Sequence, residues 1–216
     1  MSRGVVYGFE KKALLGVEVR KSIASVKKFH PDWQTAVHTD IVRFHQYFDI
    51  VIPGSFEPSK NVFRAKVVAM LNSPFDETLY LDTDTQLRQP VDHVFDLFPK
   101  FDFAMSWAMG KSQGGFSGDE QLLELISEYN TGVVFWKRTP RTTDLLTQWL
   151  EYHHSDMPTH RCDQFSLCRT LFYNEHIRIA PLTINYNQRH YGTAEYFHPA
   201  NAEKRAFIIH NRDFIE

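Results

Sequence analysis

Two aspartates follow a short apolar run near the middle of the chain. The run is Leu79-Tyr80-Leu81, and one residue separates the aspartates, Asp82 and Asp84. Residues two positions apart on an extended backbone project from the same face, so both carboxylates can point the same way. Like charges that close are costly unless a cation lies between them, and carboxylate oxygens suit Mg²⁺ or Mn²⁺ that also holds a phosphate. The pair indicates a divalent metal site, with two solvated carboxylates in a turn as the simple alternative.

The elements around the aspartates predict a scaffold that would present them to a ligand. The apolar run is typical of a buried strand, and ligands bind at the carboxyl ends of strands in open α/β sheets. Strand-like segments alternate with helical patterns along the chain, which predicts an α/β fold with a mostly parallel central sheet flanked by helices. The predicted strands are 5–9, 35–39, 50–52, 79–81, 101–107, 132–136 and 206–210, and the predicted helices are 10–29, 61–72, 91–98, 142–152 and 162–172.

Composition is typical of a soluble globular protein, and the length suits one domain, 1–216. The formal net charge of −2 gives no basic field, so nucleic acid is not an expected partner. Two cysteines, Cys162 and Cys168, are too few for a disulfide framework and favour a reducing compartment, so we predict a cytoplasmic location. No apolar run approaches the roughly 20 residues that span a membrane, and the first residues lack a signal-peptide core.

Other polar residues lie where predicted elements begin or end. Asn130 precedes a strong strand, Asp163-Gln164 begin a helix, and His210 ends the last strand. Lys66 lies on the helix that precedes the aspartates. Each has a structural explanation when taken singly: a turn residue, an acidic side chain at the positive end of a helix dipole, a strand-end histidine and a solvated lysine. These separate structural explanations do not account for the spacing of the four motifs along the chain.

In this order, the motifs resemble those of sugar-nucleotide-dependent glycosyltransferases with the GT-A fold, most closely the glycogenin and galactosyltransferase type (glycosyltransferase family eight). The segment Leu79 to Thr85 is similar to the metal-binding D-x-D of that family, and Lys66 lies sixteen residues before Asp82, where the family has a donor-contacting lysine. The other similar motifs are Asn130-Thr131-Gly132-Val133, Asp163-Gln164, Tyr186-Asn187 and His210. The resemblance extends over nearly the whole chain.

The resemblance implies a GT-A (Rossmann-like) nucleotide-diphospho-sugar transferase fold and a role for each motif. The implied metal ligands are Asp82, Asp84 and His210, the implied donor contacts include Lys66 and Thr83, and the implied catalytic residues around the sugar are Asn130, Asp163 and Gln164. The implied cofactor is Mn²⁺ or Mg²⁺, and the implied donor is a nucleotide-diphosphate sugar, typically a UDP-sugar. The sugar would pass, with retention of anomeric configuration, to a hydroxyl of a carbohydrate, glycolipid or protein.

The chain departs from the family pattern at two places. After its histidine the family usually continues with Gly-x-x-Lys-Pro-Trp, whereas this chain continues with Asn211 and Arg212, so Arg212 is predicted to replace the lysine as the cation at the diphosphate. The aromatic residue that stacks on the donor base has no counterpart by spacing, and Tyr7 or Phe9 is predicted to serve. Aromatic residues that could stack on an acceptor sugar are Trp107, Phe116, Tyr191 and Tyr196.

Two other functions fit parts of the pattern. The segment Asp82-Thr83-Asp84-Thr85 also fits the D-x-D-x-T of haloacid-dehalogenase-like phosphatases, in which the first aspartate is a nucleophile. That motif normally follows the first strand of its fold, whereas three predicted strands precede Asp82. The second alternative is a sugar-nucleotide-binding module without turnover, suggested by the short C-terminal segment.

Overall fold

The computed structural model describes residues 1–10, 16–53, 64–108, 123, 125, 127–155, 163–189 and 205–210. A seven-stranded sheet forms its centre. The strands of this sheet are β1 (Arg3–Gly8), β2 (Gln34–His38), β3 (Ile50–Val51), β4 (Glu77–Leu81), β6 (Phe103–Trp107), β7 (Tyr129–Lys137) and β8 (Ile179–Leu182), and a separate two-stranded sheet consists of β5 (Thr85–Leu87) and β9 (Ile208–His210). The helices are α1 (Gly16–Phe29), α2 (Arg64–Leu71), α3 (Pro140–Ser155) and α4 (Asp163–Phe172), with short 3-10 helices at Val42–Tyr47, Asp92–Leu97 and Ile184–Tyr186.

The strand order of the large sheet is β3-β2-β1-β4-β7-β6-β8. All neighbouring pairs are parallel except those that involve β7, which runs antiparallel to both β4 and β6. The predicted α/β fold with a mostly parallel sheet is confirmed. Because β7 runs the opposite way, its first residues lie beside the carboxyl end of β4.

Both faces of the sheet are buried because alternate side chains of each strand enter two different cores. On one face, Val5, Leu79 and Phe135 pack with Val19 and Ile23 of α1. The other face packs under α2, α3 and α4, and its members include Val6, Tyr80, Trp136, Val67, Trp149 and Leu167. A strand covered on both faces is apolar throughout, as parallel strands in α/β proteins are. Among the described helices, none is both long enough and apolar enough to cross a membrane.

The small sheet brings the end of the described chain back to the aspartates. Strand β9 pairs antiparallel with β5, and His210 is the partner of Thr85. Three features were not predicted from the sequence: β5, β8 and the antiparallel direction of β7. The helix predicted at 91–98 is the 3-10 helix Asp92–Leu97, and the last strand is shorter than the predicted 206–210.

Candidate metal and donor site

Three potential metal ligands converge at the carboxyl end of β4. One ligand atom from each of Asp82, Asp84 and His210 lies within 4.8 Å of the others. The Nε2 atom of His210 is 3.3 Å from Asp84 Oδ1 and 3.6 Å from Asp82 Oδ2. Carboxylate oxygens and an imidazole nitrogen are ligands that Mn²⁺ accepts, so these side chains fit the predicted divalent ion.

The backbone after β4 fixes the two aspartates in place. The N–H of Asp82 donates to the carbonyl oxygen of Gly132 on β7 at 2.8 Å. The carbonyl oxygen of Asp82 accepts hydrogen bonds from the N–H of Thr85 at 3.2 Å and from its hydroxyl at 2.7 Å. This tight turn starts β5, which in turn pairs with His210. The metal ligands therefore come from one turn and one distant strand that share hydrogen bonds.

An asparagine pair orients the ring of His210, which is buried. The Nδ1 atom of His210 lies 2.8 Å from Asn187 Oδ1. A carbonyl oxygen can only accept, so Nδ1 carries the proton and Nε2 is left with its lone pair toward the aspartates. The amide nitrogen of Asn187 donates to Asn130 Oδ1 at 2.8 Å, and that oxygen also accepts from the N–H of Gly132 at 2.9 Å. Such partners of a ligating histidine fix its tautomer and orientation.

Gly132 leaves the space that the metal ligands occupy. A Cβ atom at this position would lie 2.1 Å from His210 Cε1, 2.8 Å from His210 Nδ1 and 2.7 Å from Asp82 Oδ2. These distances are shorter than van der Waals contact between heavy atoms. Only glycine therefore allows the imidazole and the carboxylate to approach β7 this closely.

A buried ammonium group lies beside the aspartates. The Nζ atom of Lys66 is 2.9 Å from Asp163 Oδ2 and 3.0 Å from Asp82 Oδ1, and it also lies 3.3 Å from Thr131 Oγ1. The hydroxyl of Thr131 donates to Asp163 as well, and the phenol of Tyr80 donates to Asp82 Oδ1 at 2.8 Å. Elements far apart in sequence, α2, β4, β7 and α4, thus meet in one polar cluster.

The pKa shifts in this cluster show that the charged forms support one another. Burial alone would lower the pKa of Lys66, but the charges of Asp163 and Asp82 outweigh it and raise the pKa. Burial would raise the pKa of Asp163, but the Lys66 charge and the Thr131 hydrogen bond hold it below its ordinary value. Burial likewise opposes ionisation of Asp84, but a second proton on His210, at Nε2, would donate to Asp84 and lower its pKa, and a metal ion would take the place of that proton. Lys66 and Asp163 are therefore both charged at neutral pH.

The amide of Gln164 faces a second buried carboxylate. Gln164 follows Asp163 at the start of α4, and its Nε2 donates to Glu128 Oε2 at 3.3 Å. Glu128 lies directly before β7 and is 6% exposed. The sequence analysis does not include Glu128 among the site residues. Its position two residues before Asn130 could have indicated that it lies near the site.

The structure brings most of the predicted site residues together. The residues that meet in or beside the polar cluster are Lys66, Asp82, Asp84, Asn130, Asp163, Gln164 and His210. Thr83 is half-buried between the two aspartates. The sequence analysis assigns no site role to Tyr80, and it includes Thr131 and Asn187 only as parts of motifs. The Tyr186-Asn187 pair was the signal that could have identified the histidine partner.

Tyr7 and Phe9 are not placed to stack on a base. Tyr7 is completely buried, its ring packs against Phe48, and its hydroxyl is 2.9 Å from the Ser22 hydroxyl. Phe9 is 6% exposed and packs edge-on against Phe44. The prediction of a base-stacking role is wrong for Tyr7 and is not supported for Phe9, because both rings belong to the core below the sheet.

The remaining aromatic and basic predictions have different outcomes. Trp107 is 45% exposed, and its ring stacks on Tyr129 with centroids 4.1 Å apart, so it can offer an aromatic surface. Predictions that lie outside the described residues are those for Arg212, Phe116, Tyr191 and Tyr196.

Comparison with known proteins identifies the family. A family model described as nucleotide-diphospho-sugar transferase matches residues 64–212, which is more than half of the chain, and a mannosyltransferase family model matches residues 22–99. No curated protein matches the chain by sequence.

Solved structures share the fold at low sequence identity. The apo form of the glycosyltransferase GlyE from Streptococcus pneumoniae TIGR4 has a TM-score of 0.67 at 16% identity, over 97% of this chain and 54% of GlyE. The galactosyltransferase LgtC, solved with donor and acceptor sugar analogs, gives 0.61 at 13% identity, over 97% of this chain and 87% of LgtC. The bifunctional glycosyltransferase WbbM gives 0.61 at 14% identity, over 97% of this chain and 45% of WbbM.

The chain spans about half the length of GlyE and WbbM but most of LgtC. At these identities the likeness shows the fold, which is that of the GT-A glycosyltransferases. The metal-ligand cluster lies where the sequence motifs predicted it, and the family match includes all three ligands. The chain therefore belongs to the nucleotide-diphospho-sugar transferase family.

Proposed function

We propose that residues 1–216 form one glycosyltransferase domain that moves a sugar from a nucleotide-diphosphate sugar, a UDP-sugar, to a hydroxyl acceptor with retention of configuration. The observation that carries the proposal is the convergence of Asp82, Asp84 and His210 beside the buried Lys66 ammonium. Anionic ligands and a cation in one cluster suit a metal-bound diphosphate. The closer assignment to glycosyltransferase family eight is part of this proposal.

The leaving group of such a reaction is a nucleoside diphosphate that gains negative charge. Mn²⁺ or Mg²⁺ held by Asp82, Asp84 and His210 would supply a Lewis acid that neutralises this charge. The Asn187 carbonyl keeps the Nε2 lone pair of His210 available as a ligand. Lys66, and Arg212 in place of the family's lysine, would add charge-assisted contacts to the phosphates. Preorganised charge of this kind is often the largest catalytic contribution.

The sugar would lie against the side chains that begin β7 and α4. Asn130 holds Gly132 and Asn187 through its oxygen, and we assign its Nδ2 amide to a sugar hydroxyl. Asp163, ionised and paired with Lys66, accepts from a second hydroxyl, and Gln164 contacts the ring beside it. Fixed contacts orient the anomeric carbon toward the acceptor. The exposed ring of Trp107 is assigned to the acceptor side.

The test is nucleotide release from a panel of sugar nucleotides that contains UDP-glucose, UDP-galactose, UDP-N-acetylglucosamine and GDP-mannose, with Mn²⁺ and with excess chelator. We expect release from at least one UDP-sugar in Mn²⁺ and its loss in chelator. For an active donor, proton NMR of the first-formed product reports retention or inversion. Tight binding of UDP and Mn²⁺ without release from any donor would favour the binding module.

The phosphatase alternative has little support. Asp82 follows the fourth strand of the chain. Its Oδ1 accepts from Tyr80 and pairs with Lys66, and its Oδ2 accepts from Lys66 and faces His210. Because both oxygens of the Asp82 carboxylate already have partners, neither is well placed to attack a phosphorus atom. Hydrolysis of p-nitrophenyl phosphate that disappears in Asp82→Asn would revive this alternative. The cytoplasmic location also stays a prediction, which cell fractionation would test.

A further inference from the structure

Glu128 is a buried carboxylate with an incomplete set of hydrogen bonds. Its side chain lies directly before β7, and the residue is 6% exposed. One oxygen, Oε2, accepts from Gln164 Nε2 at 3.3 Å, whereas Oε1 is buried and has no hydrogen-bond partner among the described residues. Burial of a carboxylate without full hydrogen bonding is costly. An apolar side chain at position 128 would therefore stabilise the fold at least as well as Glu128 does.

The carboxylate does determine which way the Gln164 amide points. An ionised carboxylate only accepts hydrogen bonds, whereas the two ends of a glutamine amide differ, one donating and one accepting. Glu128 therefore holds the NH₂ group of Gln164 and turns its carbonyl oxygen to the other side. Gln164 is half-buried, whereas the preceding Asp163 is buried in the Lys66 cluster, so part of the Gln164 side chain is accessible beside that cluster.

We propose that Glu128 is a positioning residue that fixes the amide of Gln164 so that its carbonyl oxygen accepts from a hydroxyl of the donor sugar. This inference rests on the proposed glycosyltransferase function. Glu128 acts through Gln164 and does not itself touch the metal or the diphosphate. Loss of the orientation should lower kcat by about 10- to 100-fold, because a misplaced substrate contact costs on that order. Binding of UDP with Mn²⁺ should be unchanged.

The test uses Glu128→Gln, which keeps the shape of the side chain but can donate as well as accept. The matched control is Glu151→Gln, which removes one carboxylate from an exposed position of α3. Nucleotide release from the UDP-sugar of the panel that is turned over fastest gives kcat and KM. We expect a lower kcat, an unchanged melting temperature and unchanged UDP affinity in Glu128→Gln, and no change in the control.

A double-variant cycle distinguishes positioning from simple loss of charge. In the combined Glu128→Gln and Gln164→Glu variant, the new amide can donate to the new carboxylate, whose second oxygen again faces the sugar as an acceptor. We expect the combined variant to be more active than the product of the two single effects, a favourable coupling. Additive losses, or wild-type kcat in Glu128→Gln, would overturn the proposal.

A measurement without turnover separates this inference from the proposed function. The side-chain amide signals of Gln164 in a ¹H–¹⁵N spectrum are identified by their disappearance in Gln164→Glu. We expect Glu128→Gln to shift them and Glu151→Gln to leave them in place. Unmoved signals would overturn the positioning role even in an active enzyme, whereas shifted signals in a protein that turns over no donor would contradict only the proposed function.

Discussion

Replacing Gly132 by alanine is expected to disable the metal site while the fold remains. The new methyl group would lie 2.1 Å from His210 Cε1 and 2.7 Å from Asp82 Oδ2. Because nonbonded carbons rest about 3.5 Å apart or more, the imidazole must retreat by roughly 1.4 Å. Metal–ligand distances tolerate only about 0.2 Å. The displacement required is therefore several times larger than a metal site accepts.

The histidine has little freedom to move in compensation. Its Nδ1 is bonded to Asn187 and its backbone pairs with Thr85, while the residue is 2% exposed. We expect overpacking to cost about 1–3 kcal/mol of stability. Affinity for Mn²⁺ should fall by at least about 10- to 100-fold, the range seen when groups that support metal ligands are removed.

The assay is titration of Mn²⁺ in the presence of UDP, followed by electron paramagnetic resonance, together with a thermal melt. Gly4→Ala is the matched control, because its methyl group would meet the ring of Phe75 at 2.4 Å near the amino end of β1, away from the metal ligands at the carboxyl end of β4. Both variants should lose similar stability, but only Gly132→Ala should lose Mn²⁺ affinity. Wild-type Mn²⁺ affinity in Gly132→Ala would refute the convergence of these groups around an ion.

Four other substitutions or modifications have defined outcomes. Asp84→Ala should fold, by circular dichroism, but lose Mn²⁺-dependent UDP binding in calorimetry; undiminished binding would contradict its role as a ligand. Lys66→Ala should weaken UDP binding and also cost about 3 kcal/mol in denaturant unfolding, because it leaves the buried Asp163 carboxylate without its cation; an unchanged midpoint would contradict the buried pair. Asn187→Leu should lower Mn²⁺ affinity about 10- to 100-fold with little change in UDP affinity measured without metal. Burial and then the Glu128 charge raise the pKa of Cys168 to about 11, so about one thiol in a thousand is ionised at pH 8 and iodoacetamide should label Cys168 slowly, faster as the pH rises toward 11; rapid labelling at pH 8 would show that the thiol is exposed.

The residues of the site were easier to predict from the sequence than the strand pairing that brings them together. Asp82, Asp163 and His210 could be found because each lies where a predicted element begins or ends, and strand ends of an α/β sheet gather at one edge. The direction of β7 could not be predicted, because its residues are buried on both faces and carry no alternation that distinguishes parallel from antiparallel pairing. Strand β5 has three residues, too few for any periodic signal.

Burial was the second limit of sequence reasoning. Lys66 was compatible with a solvated helix face, and only the fold shows that it lies between two carboxylates contributed by distant segments. Tyr7 lies close to a strand end and was predicted to stack on a base, but strand alternation turns its ring into the core beneath α1. The burial of Lys66 and of Tyr7 depends on side chains from distant segments of the chain. A single sequence does not show which segments pack together.

The most direct test of the metal site is anomalous diffraction at the manganese edge from crystals grown with Mn²⁺ and UDP. We predict one strong peak at bonding distance, about 2.0–2.6 Å, from Asp82, Asp84 and His210, with the diphosphate of UDP on its open side. A crystal that contains ordered UDP but has no manganese peak at these three side chains, or a peak held by other residues, would contradict it.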